Sequence, residues 1–514
     1  MMRSIAVNNL ILVPIAIFLL TLMVVSYFSQ KNLNKKGSNF SKEYFIADRK
    51  LGGFVLAMTL VATYGSVSSF VSGPGVAWNL GFGWVAFAAP QIITGFLLLG
   101  IIGNKLALVA RKTDAVTIID IIHARYQNSS LTLILSIVML VFFTAMVVGQ
   151  FVGGAQIFAA ITGLDYSIGL FIFATVTVIY TSSGFKAVAI TDTICAILML
   201  VGMFTLGYVI IRDGGGFMHI METLSQKDVG ADGISRHFKV NADGLLPFSL
   251  LFSAWFLVGF FTLALPQSCV RALAYKKTSD LHMAMIVATV VCGALMIGMT
   301  LLGVLSAGVI ADKPQNGTDA IIPLLIATHM SPIIAGITII GPLAATMSTV
   351  SSLLIAASSS VVSDIAKQLS HGRKAEDGAP SQVTPVLAQK KLPTILITLL
   401  IGSISILLAL YPQDIVVWIN LFAFGGLESA FIWPIVLGLF WKRMNAGGAL
   451  LGVIFSLGIY ILCMAYGIKI LSFHNVLIGA LSGLGFSILG TYCFKAPNLQ
   501  IQEIFFPHKC KEQQ

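Results

Sequence analysis

The chain has 514 residues, 57% hydrophobic and only 10% charged, with a mean hydropathy of +0.92 and a net charge of +10. A soluble domain carries roughly a quarter charged residues, so this composition excludes a soluble globular protein and describes an integral membrane chain.

Apolar runs close to the ~20 residues needed to cross the hydrocarbon follow one another from end to end, about thirteen in all. They lie near Asn8 to Ser29, Leu51 to Ser72, Phe82 to Ile102, Leu131 to Ile161, Thr162 to Ser182, Ala187 to Ile211 and Leu246 to Leu265. The rest lie near Met283 to Ile310, Pro332 to Val362, Leu392 to Leu410, Gln413 to Phe440, Gly447 to Tyr466 and Val476 to Tyr492. The first run is too long for a signal-peptide core and no small-x-small cleavage pattern precedes the basic Lys31 to Lys50 loop, so it reads as a retained helix. With the amino terminus outside, the outer side holds Arg3, Arg212, Lys227, Arg236, Lys239, Lys313 and Lys469, and the other 24 of the 31 lysines and arginines fall on the inner side. This bias predicts amino terminus out, carboxyl terminus in, and places the net charge at the inner leaflet, with no need of nucleic acid to explain it.

The six cysteines, Cys195, Cys269, Cys292, Cys463, Cys493 and Cys510, form no CxxC pair and read as small apolar residues. No GxxxxGK[ST] loop, HExxH pair or hydrolase triad spacing is present. The longest stretches between spans, Arg212 to Asp243 and Asp364 to Lys391, read as connectors. An enzyme is therefore not expected, and a gradient is the simplest energy source.

Four polar stretches interrupt the apolar spans. In Ala57 to Gly75, Thr59, Thr63, Tyr64, Ser66, Ser68 and Ser69 precede a Gly73, Pro74, Gly75 breaker expected to end the helix. An interrupted helix is tolerated in a bilayer only where its freed carbonyls are buried in protein or line a cavity; close helix packing by small residues is the competing reading. In Ser183 to Ala196, Asp192 sits near the inner end of a span and reads as a functional carboxylate, a helix cap or a partner of Lys186. In Gly341 to Ser360, Ala345 lies one helical step before the adjacent hydroxyls Ser348 and Thr349, so a carbonyl and a hydroxyl converge on one face. Oxygen ligands without a carboxylate suit a monovalent cation, and a serine-rich packing helix is again the alternative. In Asn420 to Pro434, Glu428 lies in mid-span beside Gly425 and Gly426, as a substrate contact or as the partner of an arginine or serine on a neighbouring helix.

These residues resemble the sodium:solute symporter family. The resemblance is carried over nearly the whole length by EYFIADRKLGGFVLAMTLVATY, SSFVSGPG, GFGWV, AVTIIDIIHARYQ, QFVGGA, SSGFKAVAITDT, AATMST and WINLFAFGGLESAFIWPIVLGLFW. The ARYQ, QFVGGA and FGGLE blocks point to the pantothenate branch of that family. It implies a single polytopic domain over 1–514 in a bacterial cell inner membrane, all-α, with a LeuT-type 5+5 inverted repeat. A peripheral helix over 8–29 precedes repeats over 51–211 and 246–440, followed by two peripheral helices over 447–492 and a cytoplasmic tail over 493–514. The first helix of each repeat is implied to be broken, here in Leu51 to Ser72 and at Leu265, Pro266.

The resemblance also implies one sodium ion held by the carbonyls of Ala62, Gly65 and Ala345 and the hydroxyls of Ser348 and Thr349, with Asp192 near the ion's exit path. Sodium and pantothenate are the implied solutes, with no other cofactor and no obligatory protein partner. Tyr64, Ser68, Gln150, Thr262 and Glu428 are the candidate substrate contacts, with half-helix backbone donors near Ser66 to Ser69 for the carboxylate and Glu428 toward the hydroxyl end. Where relatives often have Pro-His, this chain has Pro266, Gln267. A symporter for proline or a monocarboxylate, a channel and a membrane-embedded sensor are the competing functions.

Overall fold

A backbone in lipid must satisfy its own hydrogen bonds, and this chain does so with helices. The computed structural model describes residues 9–32, 40–314, 317–366, 391–411 and 416–507, and within these only two isolated bridges, Leu51 with Tyr275 and Val229 with Ser235, depart from helix and loop. Ten helices are long and apolar enough to cross a membrane, and twelve if each of two sharply bent pairs is one span. Arg3, Lys35, Lys36, Cys510, residues 367–390 of the inner connector, the start of the expected Gln413 span and the end of the tail lie outside the described residues.

In chain order the helices are α1 Asn9–Asn32, the bent pair α2 Gly53–Tyr64 and α3 Ser68–Leu80, α4 Phe82–Thr113, α5 Ser129–Thr162, the shorter α6 Tyr166–Thr181 and α7 Phe185–Asp213. They continue with the bent pair α8 Phe248–Ala264 and α9 Pro266–Leu273, then α10 Thr278–Ser306, α11 Pro332–Ile365, α12 Lys391–Ala409, α13 Val416–Phe440, α14 Ala446–Ala465 and α15 Asn475–Cys493. Burial ranks them: 83% of the tested window of α11 and 72% of that of α13 are inside the protein, against 28% for α1. The serine-rich helix is thus the centre of the bundle, packed against α1, α5 and α7, while α1 covers its outside with Ile11, Ile15, Phe18 and Leu22 and leaves Leu10, Val13, Ile17, Leu20 and Val24 facing out.

The first bend, 66°, falls between α2 and α3. Gly65 turns extended, φ −66° and ψ 105°, and the chain resumes helix at Val67. A side chain there would press Met199, 2.9 Å from a built Cβ, and a Cβ at Gly153 of α5 would meet Val67 at 2.4 Å, so two glycines set how closely the break approaches its neighbours. The expected Gly73, Pro74, Gly75 breaker does not end the helix, which runs on to Leu80. Pro74 stands in the first turn of a regular segment after a wide Ser68–Ser72 turn, where its missing N–H costs nothing, and Gly75 makes room for the Thr318 carbonyl. The second bend, 42°, lies where expected: Leu265 is extended and Pro266 opens α9.

Arg125, one of the basic residues assigned above to an inner loop, is 1% exposed. It ends the short helix Ile118–Tyr126 and clamps the end of α13, its Nε donating to the Gly438 carbonyl at 2.8 Å and its Nη2 to those of Trp441 and Lys442 at 3.2 Å. Tyr126 adds a bond to the Pro434 carbonyl at 2.8 Å. Hydrogen bonds from a charged donor contribute about 1.5–3 kcal/mol. Arg125→Ala is therefore expected to lower the unfolding temperature of the detergent-solubilised protein by several degrees; an unchanged melting curve would remove the clamp from the account of stability.

Candidate functional site

The break strips the helix of its own partners for two carbonyls, and α11 supplies replacements. Ser348 Oγ donates to the Ala62 carbonyl at 2.9 Å and lies 3.1 Å from that of Ala345; Thr349 Oγ1 reaches the carbonyls of Gly65 and Ala345, both at 2.9 Å. The five oxygens expected to bind sodium thus converge in one place, with Ala62, Ala345 and Ser348 fully buried and Thr349 2% exposed. No carboxylate belongs to the cluster, which is the chemistry of a weakly held monovalent cation rather than of a divalent one.

One helical turn further along α11, Ser352 Oγ donates to the Ser348 carbonyl at 2.8 Å and accepts from Arg271 Nη2 at 2.5 Å. The same Nη2 lies 3.4 Å from Asp192 Oδ2, which also accepts from Thr59 Oγ1 at 2.6 Å. Arg271 further bonds the carbonyls of Thr59, 3.1 Å, and Gln267, 2.6 Å. Asp192 and Arg271 are 0% and 1% exposed, so the pair is a buried one with every helix around it contributing. Two expectations are corrected here. Arg271 is not a loop charge, and Asp192, well inside α7, is neither a cap nor a partner of Lys186, whose side chain is exposed at the start of that helix. Removing one member of a buried pair strands the other, at a cost of about 3–5 kcal/mol. Arg271→Met is expected to destabilise by that amount and the double variant with Asp192→Asn to recover much of it; equal losses in the single and double variants would show that the two do not act as a unit.

Beside the break lies a small cavity of about 80 Å³, below the ~300–1,000 Å³ of fully formed small-molecule sites. Tyr64, Ser66, Ser68 and Ser69 line it from the break, Trp84 and Gln91 from α4, Thr262 from α8, Thr300 from α10, and Val417, Asn420, Leu421 and Phe424 from α13. Trp84 stacks on Phe87 and meets Trp418 edge-on, giving an aromatic wall. Ser68 Oγ and Asn420 Oδ1 are buried and without a partner among the described residues.

Of the expected substrate contacts, Tyr64, Ser68 and Thr262 face this cavity and two do not. Gln150 is fully buried behind the break and its Oε1 accepts from the Val67 N–H at 3.0 Å, so it fixes the start of the second half-helix. Glu428 is fully buried one turn beyond Phe424, outside the lining. The expected half-helix donors are also partly occupied: Val67 donates to Gln150, and Ser69 and Phe70 donate to the Ser66 carbonyl. Gln91 was not singled out in the sequence, Asn420 only as the start of a polar stretch and Arg271 only among the inner-side charges. All three are polar residues flanked by apolar ones, a pattern that flags them.

The sodium:solute symporter family model matches residues 44–456. The chain belongs to the sodium:solute symporter family. It is 38% identical to the sodium/pantothenate symporter of Haemophilus influenzae over 92% of this chain and 94% of that one, and 35% identical to that of Escherichia coli K12 over the same shares. The sodium/proline symporter of Escherichia coli K12 is 26% identical over 97% and 96%. Among solved structures, a Na+-coupled sialic acid symporter in a substrate-bound outward-open state superposes with a TM-score of 0.78 at 21% identity over 95% of this chain and 98% of that one. MhsT in complex with L-phenylalanine gives 0.51 at 14% identity over 86% and 97%. At those identities the likeness is one of fold.

Proposed function

We propose that the protein carries pantothenate into the cell together with sodium, by alternating access and without a covalent step. The observation that carries this reading is the meeting of the broken helix with α11 through five oxygens next to a cavity lined by polar and aromatic side chains, in a chain of this family whose sodium/pantothenate relatives match over nearly its full length. Sodium is cargo: it takes the place now filled by the hydroxyl protons of Ser348 and Thr349 and ties α2 to α11. Pantothenate has a carboxylate, an amide and two hydroxyls, and the cavity offers the free Ser68 hydroxyl, the Asn420 amide, Tyr64 and Gln91 against an aromatic wall.

The arrangement in the membrane that supports this action has thirteen spans, the shorter α6 included, with the amino terminus outside and the carboxyl terminus in the cytoplasm of a bacterial inner membrane. Residues 51–211 and 246–440 form the two inverted five-helix repeats, and the bends at Gly65 and Leu265 fall in the first helix of each. Each ligand shifts the equilibrium only as far as it prefers one state, so sodium that closes the α2–α11 contact favours the anion-binding form. Asp192 and Arg271 act as the coupling element. Ser352 joins them to the Ser348 carbonyl, so departure of the ion disturbs the pair that closes this end of the bundle.

The decisive measurement is labelled pantothenate uptake into proteoliposomes with and without an inward sodium gradient. Uptake that ignores sodium would overturn the coupling, and absent uptake with intact sodium binding would overturn the substrate. Ser348→Ala and Thr349→Ala are each expected to raise the sodium concentration for half-maximal uptake by about 10-fold, from loss of one ligand oxygen at about 1–2 kcal/mol. Unchanged sodium dependence in both would sink the ion site. Asn420→Ala is expected to raise the half-saturating pantothenate concentration by a similar factor with the sodium dependence kept; the reverse pattern would move the solute out of this cavity.

A further inference from the structure

Glu428 is the one carboxylate in the described membrane core that has neither a cation nor a hydrogen-bond donor. Both of its oxygens are buried and without a partner among the described residues, and the side chain is fully enclosed. Its position along α13 is telling. Val417, Asn420, Leu421 and Phe424 line the cavity, and Glu428, four residues after Phe424, continues the same stripe. Phe424 is the last residue of α13 in the cavity lining, and Glu428 follows it one helical turn on, outside that lining.

The surroundings offer nothing to neutralise a negative charge. On α14, Tyr460 is near enough to interact with Glu428, but its hydroxyl donates to the Phe422 carbonyl at 2.8 Å. The adjacent Ser429 Oγ is buried and unpaired. Helix α5, the end of α8 and the start of α3, all packed on α13, contain no ionisable residue in their sequences. Cys463 is the other titratable group on α14; on α15 they are Tyr492 and Cys493, at the far end, while His474 caps the near end, its Nδ1 accepting from the Val476 N–H at 3.3 Å and its pKa pushed down to about 4 by burial, so it brings no positive charge at neutral pH. The short helix Ile118–Tyr126 brings Asp120, His123, Arg125 and Tyr126, but its arginine bonds Gly438, ten residues and about 15 Å along α13. A carboxylate enclosed this way without a counter-ion holds a proton.

We propose that Glu428 is a proton-binding site of the transport path, occupied in the enclosed arrangement and emptied when Phe424 moves aside and joins the carboxyl to the cavity. The exchange is a simple acid dissociation: the O–H bond breaks, the proton passes to water in the cavity, and the carboxylate remains hydrated until the site closes again. The bound proton favours the enclosed arrangement and its loss favours the open one. Proton concentration therefore biases the same equilibrium that sodium and the solute bias, which makes uptake pH-dependent through one residue.

This inference rests on the transport reading above, and two measurements on the full-length protein separate their failures. In purified protein at neutral pH, the infrared carbonyl band of a protonated carboxyl is expected in the wild type and absent from Glu428→Gln, independently of any transport; no difference between the two would overturn the proposal. In proteoliposomes, sodium-driven uptake of labelled pantothenate is expected to change by about fivefold or more between about pH 5 and pH 9 in the wild type, the lower range of coupling between linked sites. E428Q, which resembles the protonated form, is expected to stay near the rate of the acid limb throughout. Parallel profiles in the two proteins, a flat wild-type profile, or complete loss of uptake in a folded E428Q would each overturn the proton site. If E428Q fails to reach the membrane, Glu428→Asp decides: a retained but displaced pH profile supports the site, and an undisplaced one refutes it. Wild-type vesicles that take up no pantothenate at all would instead count against the transport reading, with the infrared band still testing the proton.

Discussion

A carbonyl that loses its helical partner inside a membrane has no water to turn to, and this constraint organises the centre of the protein. At Gly65 the chain leaves the helix and frees the oxygens of Ala62 and Gly65. The side chains that answer them, Ser348 and Thr349, come from the most buried helix of the bundle. The contact is intrinsically replaceable. A hydroxyl that donates to a carbonyl can rotate and present its lone pairs beside that carbonyl to a cation, so the sodium site proposed above needs only the same five oxygens with the hydroxyls turned. A helix packed by leucines has no second use of this kind.

The precision of that meeting depends on where side chains are missing. Gly202 of α7 and Gly341 of α11 approach so closely that a Cβ at Gly202 would lie 3.1 Å from the Gly341 Cα. Further along this helix pair, Asp192 and Ser352 converge on Arg271. Gly153 plays the same part for α5, letting Val67 come near enough for Gln150, one turn earlier, to accept its N–H. Dispersion contacts between close backbones hold helices together where lipid supplies no hydrophobic drive. The polar network is then placed by the packing rather than the reverse.

Much of this was legible in the sequence, and the misses have a common cause. Span positions follow from apolar length, and the five residues proposed to hold sodium, whose oxygens the structure brings together, were implied by family resemblance. Composition placed the end of the helix at Gly73, Pro74, Gly75, but proline in the first turn of a helix obstructs nothing; the resemblance implied a break within Leu51 to Ser72, where the chain does leave the helix at Gly65, packed close to Met199 from more than a hundred residues away. Gln150 was read as a candidate substrate contact; that its Oε1 instead accepts from the Val67 N–H depends on how two helices meet. Arg125 and Arg271 looked like loop charges because charge count assigns a side of the membrane and says nothing of depth. Local rules identified which groups need explaining, and tertiary contacts decided what explains them.

Asp192 and Glu428 show two solutions to the same electrostatic problem. Both are fully buried acids on membrane-crossing helices. Asp192 is given a guanidinium and a hydroxyl, and Ser352 links that pair to the Ser348 carbonyl, so it is part of the lock between helices. Glu428 is given neither, on a helix whose neighbours are almost free of ionisable groups, one helical turn beyond the last cavity-lining residue of α13. A buried pair exacts its desolvation cost once and then resists change, because separating its members exposes or strands a charge. A lone acid is instead cheap to enclose only while neutral, so its enclosure and its protonation are one event. The first arrangement suits a structural connection that must break cooperatively when sodium leaves; the second suits a group whose occupancy follows the opening of the cavity.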